Sequence, residues 1–206
     1  MGKHAKSIDK QILDRIKARG PGAVFTPADF LDLGSRNAVG QALFRNVHSG
    51  IIRQLARGLY DYPRRHPRLG VLMPSVDEVA AALKGRDVTR LQPAGGQAAN
   101  ILGLSTQIPA RAVYLTDGRS RKVQLGRQVV ILKKTTPRQM ATAGRISGTV
   151  IQALRWLGQR HVDDKVVNSL RQRLSNRDKK NLLNDLRYAP AWISDVLRRV
   201  ADNQDS

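Results

Sequence analysis

The chain has 206 residues, with 36 Lys and Arg against 16 acidic residues and a formal charge of +20. That excess exceeds what solubility needs and points to a polyanionic partner; nucleic acid comes ahead of a membrane surface, because no basic amphipathic helix with aromatic anchors is present. Zero cysteines exclude disulfides and thiolate metal sites, and neither a signal peptide after MGKHAKSIDK nor an apolar run of membrane-spanning length is found, so a cytoplasmic protein is expected.

In chain order, Ser7 is placed to cap a first helix with Ile8, Ile12, Leu13 and Ile16 on one face, ending at Arg19-Gly20-Pro21-Gly22. Lys3, Lys6 and Lys10 form either a basic arm on phosphates or a frayed, merely soluble terminus. Thr26 caps a short second helix with Pro27 at its first position, and Gly34 is placed to stop it in a left-handed conformation. Ser35 caps the next helix at once. There Val39, Ala42, Leu43 and Val47 recur at helical spacing and face inward. Asn37, Gln41, Arg45 and His48 take the opposite side, with Arg36 at the exposed first turn. Two residues break the pattern: Asn46 falls in the inward stripe and Phe44 points outward. Ile51 to Leu55 and Leu59 to Tyr62 alternate as a hairpin with Ala56-Arg57-Gly58 at its tip.

Helix, turn, helix and basic hairpin over residues 1–62 make a winged helix-turn-helix pattern. The second helix of such a pair fits the major groove, where Asn and Gln pair with adenine and Arg with guanine. Candidate DNA-binding residues are therefore Ser35, Arg36, Asn37, Gln41 and Arg45 on the helix, with Arg53 and Arg57 of the wing over phosphates or in the minor groove. The competing reading is a protein-contact module whose arginines are merely solvated.

Residues 63–74, PRRHPRLGVLMP, hold three prolines and are expected to be a basic linker. Residues 1–68 carry 13 basic and 5 acidic residues, and the remainder 23 and 11. The second half is thus basic in its own right. Ser75-Val76-Asp77-Glu78 is a capping box ahead of a short helix stopping at Gly85. Val88 to Gln92 reads as a strand ending at Pro93, and Gly95-Gly96 as a turn into a helix through Leu102. The glycine spacing matches no nucleotide-binding fingerprint, so close backbone packing is the expected reason for it. Residues 110–134 read as a β-meander: Ala112 to Thr116, an Asp117-Gly118 hairpin turn, Arg119 to Leu125, Gly126, then Gln128 to Lys133. Arg119, Arg121, Lys122, Arg127, Lys133 and Lys134 would make one sheet face basic, as a nucleic-acid contact or as a solvated face.

From Pro137 to about residue 201 the pattern is helical. Gly158 closes one helix, Asp163 or Asp164 starts the next, Asn176 caps a third containing Leu182, Leu183 and Leu186, and Pro190 precedes the last. Trp156 and Trp192 are expected to be core pins, and 201–206 a polar tail. The fold class is α+β: an N-terminal winged helix-turn-helix domain, then a mixed domain over 75–206 with a small β-meander and a C-terminal helical bundle. His4, His48, His66 and His161 are scattered without metal-site spacing. The acids beside His161 fit a helix N-terminus. No enzyme, cofactor or metal site is expected.

Three stretches carry a family likeness: NVHSGIIRQLARGLYDYP at 46–63, LQPAGGQAANILGLSTQIPARAVYLTDGRSRKVQLG at 91–126 and LLNDLRYAPAWISDVLRRV at 182–200. Through them the chain resembles the AbiEi-like antitoxins of type IV toxin–antitoxin systems. The resemblance implies a winged helix that binds inverted repeats in its own promoter and represses the operon. It also implies a C-terminal antitoxin domain that counters a nucleotidyltransferase-like toxin from the same operon without needing a stable complex. The alternatives are an antitoxin acting by direct contact with its toxin, and an RNA-binding protein shielding the toxin's substrate.

Overall fold

The computed structural model of the chain describes residues 7–85 and 89–202. Lys3, His4, Lys6, Val88 and the tail from 203 lie outside them. The chain divides into two units, Met1–Asp87 with Val123–Leu125, and Val88–Lys122 with Gly126–Ser206.

In the N-terminal unit, α1 (Ile8–Arg19) begins where Ser7 Oγ accepts the Lys10 N–H at 3.4 Å and ends at Gly20, whose φ of 81° suits glycine. The second helix is shorter than expected. It is one 3₁₀ turn, Pro27–Phe30, under a capping box in which Asp29 accepts the Thr26 N–H at 2.8 Å. Gly34 does not stop it and has no positive φ. Its reason is space, since a Cβ there would lie 2.7 Å from Ile8 Cδ1. Next come α2 (Arg36–His48), β2 (Arg53–Ala56) and β3 (Leu59–Asp61), the last two joined by a turn in which Gly58 has a φ of 71°. A strand absent from the sequence expectation, β1 (Val24–Phe25), pairs with the far side of β3 in the order β1-β3-β2. Two residues give too little alternation to reveal a strand.

Ile12 and Ile16 of α1, Val39, Ala42 and Leu43 of α2, and Phe25, Phe30 and Ile52 are the buried core of this winged helix. Phe25 meets Phe30 edge to face at 5.5 Å and stacks on Tyr60 at 6.3 Å. Residues 63–74 differ from the expected linker. Arg65–His66 (β4) and Gly70–Val71 (β5) pair as a hairpin, and α3 (Val76–Lys84), capped by Ser75 and Glu78, belongs to the same unit. His66 Nδ1 accepts the N–H groups of Arg68 and Leu69 at 3.2 and 3.3 Å, which folds the proline-bearing turn back on itself. The N-terminal unit accordingly runs on to Asp87 and does not end within 63–74.

From residue 89 the chain forms β6 (Leu91–Ala94), α4 (Gly95–Ile101), β7 (Arg111–Thr116), β8 (Arg121–Leu125) and β9 (Gln128–Lys134). The three strands of 110–134 are present, but their sheet has the order β6-β7-β9-β8 and is not a meander. β7 pairs with β9 in parallel, from Arg111↔Val129 to Thr116↔Lys134. Asp117-Gly118 makes no hairpin turn because β7 already has β6 and β9 as its neighbours, which leaves no edge for β8. Asp117 accepts the Arg90 N–H at 2.8 Å and its Nε at 2.9 Å, and Thr116 Oγ1 accepts the Gly118 N–H at 3.0 Å.

Helices α5 (Pro137–Met140), α6 (Ile146–Leu157), α7 (Asp164–Arg173), α8 (Asn176–Asn184) and α9 (Ala191–Ala201) follow. Their core joins Ala98 and Ala99 to Val150, Leu154, Leu170, Leu182, Ile193 and Leu197. Ser175, not Asn176, caps α8, in a capping box with Asp178, and Leu183 is exposed. Trp192 packs against the core as expected, whereas Trp156 is 50 % exposed. A Cβ on Gly95 or Gly96 would meet the Trp156 ring only at 3.5–3.6 Å, an ordinary contact, so close packing does not require this glycine pair; Gly95 instead takes a φ of 59°. The unit also encloses a polar knot, in which Asp185 accepts from the Ser147 hydroxyl and pairs with Arg145 at 2.8 Å.

Candidate nucleic-acid interface

Helix α2 is held at both ends and along one face. Ser35 Oγ accepts the Ala38 N–H at 3.2 Å, the Ser49 N–H closes on Arg45 O, and Val39, Ala42 and Leu43 are buried. Asn46, the polar residue in the inward stripe, is buried and donates from Nδ2 to Ala42 O at 2.8 Å. Its side chain therefore serves the helix and leaves the outer face to others. That face exposes Arg36, Asn37, Gln41, Phe44, Arg45 and His48.

The seven residues singled out from the sequence divide into two groups. Arg36, Asn37, Gln41 and Arg57 are exposed, and their side chains make no hydrogen bond or ion pair among the described residues. The other three have internal work. Ser35 is occupied as a cap; Arg45 is bound to Asp9 of α1 at 2.7 and 2.9 Å. Arg53 is engaged more fully. It forks onto the buried Asp61 at 3.0 and 2.6 Å and also donates to Leu72 O at 2.9 Å, so it braces the wing from within. Arg57 alone of the wing arginines stands outward, at the β2–β3 tip.

Other groups lie outside those seven, among them Phe44, which the sequence already placed outward. Phe44 is 70 % exposed, with its ring stacked on His48 at 6.4 Å and 17°. Arg65 and Arg68 of the β4–β5 hairpin are exposed and face no acid among the described residues. An open groove of about 610 Å³ runs beside that hairpin, lined by Lys17, Gly50, Ile51, Tyr62, Arg64 and Arg65 among others. The signal was present as the basic run PRRHPR, but its prolines pointed to a linker. Elsewhere in the unit, arginines are tied to acids: Arg15 forks onto Asp32 at 2.8 and 2.7 Å, a bond that raises its guanidinium above the ordinary value, and Arg19 meets Asp29 at 3.1 Å.

In the C-terminal unit, Arg119, Arg121, Lys122, Arg127, Lys133 and Lys134 are exposed. Residues 89–145 hold ten basic side chains and one acid, Asp117. The Arg90 backbone N–H, and then its guanidinium, hold the Asp117 carboxyl below its ordinary value. Among the described residues no helix is long and apolar enough to cross a membrane. No curated protein matches the chain. Residues 11–182, which reach across both units, match DUF6088, a family of unknown function, and the chain belongs to that family.

Proposed function

We propose that this protein is a double-stranded-DNA-binding autorepressor that also acts as the antitoxin of a type IV toxin–antitoxin pair, countering a nucleotidyltransferase-like toxin encoded beside it. The observation that carries the DNA-binding half is the outer face of α2. A capped helix on a packed winged-helix core presents Arg36, Asn37 and Gln41 unencumbered, with Arg57 projecting from the wing. Side chains of these types recognise base edges and phosphates without first breaking an internal bond. The antitoxin half is supported by the sequence resemblance at 91–126 and 182–200.

The test is a salt-dependent titration on the DNA upstream of the gene, against scrambled duplex and tRNA. Tighter binding to upstream DNA is expected, with log K falling by about 0.9 per phosphate contact for each tenfold rise in salt. Arg36→Ala and Gln41→Ala should relax discrimination, and Arg57→Ala should weaken all duplexes evenly. Equal losses on upstream and scrambled DNA for all three would refute the assignment. The basic sheet of the C-terminal unit favours a second polyanion contact, and stronger binding to tRNA would move the function there. The antitoxin half is tested by rescue of growth on co-expression with the neighbouring toxin, without a salt-resistant complex between the two proteins.

A further inference from the structure

Phe44 is the one large apolar side chain exposed on α2. The inward stripe is already complete without it, because Val39, Ala42 and Leu43 fill the core side and Val47 packs against that core. Asn37, Gln41, Phe44 and His48 follow one another at i, i+4, i+7 and i+11, so all four stand in one row on the outer face. The His48 ring stacks on Phe44 at 6.4 Å, within a row that is otherwise polar. A lone ring between amides and an imidazole is too small for a protein-docking patch, which needs contiguous apolar area. In a major groove it has a specific counterpart. The thymine C5-methyl is the apolar group that base edges display there, and phenyl is among the side chains that contact it.

We propose that Phe44 reads a thymine methyl, and so fixes one base of the recognised site. The inference rests on the DNA-binding role of α2 proposed above and assigns it a base. Asn37 and Gln41 suit adenines in the same half-site. Seven residues of helix rise about 10 Å, so the thymine lies roughly three base pairs from the base facing Asn37.

Deoxyuridine differs from thymidine by that methyl alone, which makes it the probe. Binding of the full-length protein to the duplex upstream of its gene is measured by fluorescence anisotropy, with thymines replaced by deoxyuridine one position at a time. At one position in each half-site the wild type should lose about four-fold in affinity, the worth of one buried methyl-sized group. Phe44→Ala should bind the thymine and uracil duplexes equally while still preferring the upstream sequence. Phe44→Leu should retain part of the methyl preference. A wild type that prefers the upstream duplex but feels no methyl at any position overturns this inference and leaves the DNA-binding proposal standing. A methyl preference that survives in Phe44→Ala also overturns it. A wild type without preference for the upstream duplex over scrambled DNA overturns both.

Discussion

Arg53→Ala separates architecture from interface. The guanidinium forks onto Asp61 and ties the wing to Leu72 O. Asp61 is 1 % exposed and the Arg53 side chain 29 %. Alanine would leave the carboxylate buried without its cation, and removing one partner of a buried pair costs about 3–5 kcal/mol. The partial exposure of Arg53 lets water replace some of what is lost, which places the expected destabilisation at about 2–3 kcal/mol. At a factor of ten for every ~1.4 kcal/mol, amides in β2 and β3 should exchange hydrogen about 30- to 140-fold faster. Exchange mass spectrometry of the whole chain reads this from peptides over 53–61, with peptides of α6 as the internal control. Replacing both partners, Arg53→Met with Asp61→Leu, should recover much of the protection, since no charge is then stranded. Unchanged exchange in Arg53→Ala together with lost DNA affinity would refute the bracing role and return Arg53 to the phosphates.

Ser35 can be tested for the same ambiguity. Ser35→Ala should weaken the first turn of α2 by about 1 kcal/mol, whereas Ser35→Asp preserves the cap but sets a negative charge at the end proposed to meet DNA. Asp should therefore keep exchange protection in α2 and lower DNA affinity at low salt; retained affinity would show that this end does not meet phosphate. In the C-terminal unit, a Cβ on Gly148 would meet Gln92 Oε1 and lie 2.5 Å from the carbonyl of Thr142. Gly148→Ala should cost about 1–3 kcal/mol through overpacking. Urea unfolding followed by tryptophan fluorescence is the assay, since Trp156 and Trp192 are the chain's two tryptophans; an unshifted midpoint would contradict it. Asp117, held below its ordinary value of 3.8, contributes stability that is fully present above that pH and is lost as pH falls through its lowered folded value. Asp117→Asn should flatten that dependence below about pH 4 in an acid titration of the same fluorescence. An unaltered acid limb would rule out the contribution.

Much of the fold was legible because its signals are local. Ser7, Ser75 and Asp163 cap helices where their spacing to the following apolar stripe requires, and Gly20, Gly85 and Gly158 end helices with positive φ. Long-range information was hidden. Nothing in Asp117-Gly118 alone shows that β9 will pair in parallel with β7 and take the edge that a β7–β8 hairpin would need. Trp156 has the size of a core residue, yet its ring, beside Gly95 and Gly96 at the start of α4, stays half exposed. For the site, position on α2 was readable, while occupation was not. The ion pair Arg45–Asp9 joins residues 36 apart in sequence. Arg53–Asp61 is different, since the two are opposite in the β2–β3 register, and the hairpin itself could have revealed the pair.

Net charge therefore overstates what any one surface can offer a nucleic acid. In the N-terminal unit Arg15, Arg19, Arg45, Arg53 and Arg64 each face an acid, while Arg36, Arg57, Arg65 and Arg68 face none among the described residues. On the DNA-binding function proposed above, the first group acts on stability and the second on affinity, so substitutions in the two should move different measurements. The balance is otherwise at 89–145, where Arg90 and Arg145 have acid partners and the remaining basic residues have none among the described residues. Most of the uncompensated charge of that stretch thus lies on and beside the sheet. Its counterions are released only if a polyanion reaches it. A salt slope that the exposed cations of the N-terminal unit can account for leaves the sheet out of the DNA complex, and a much steeper slope brings it in.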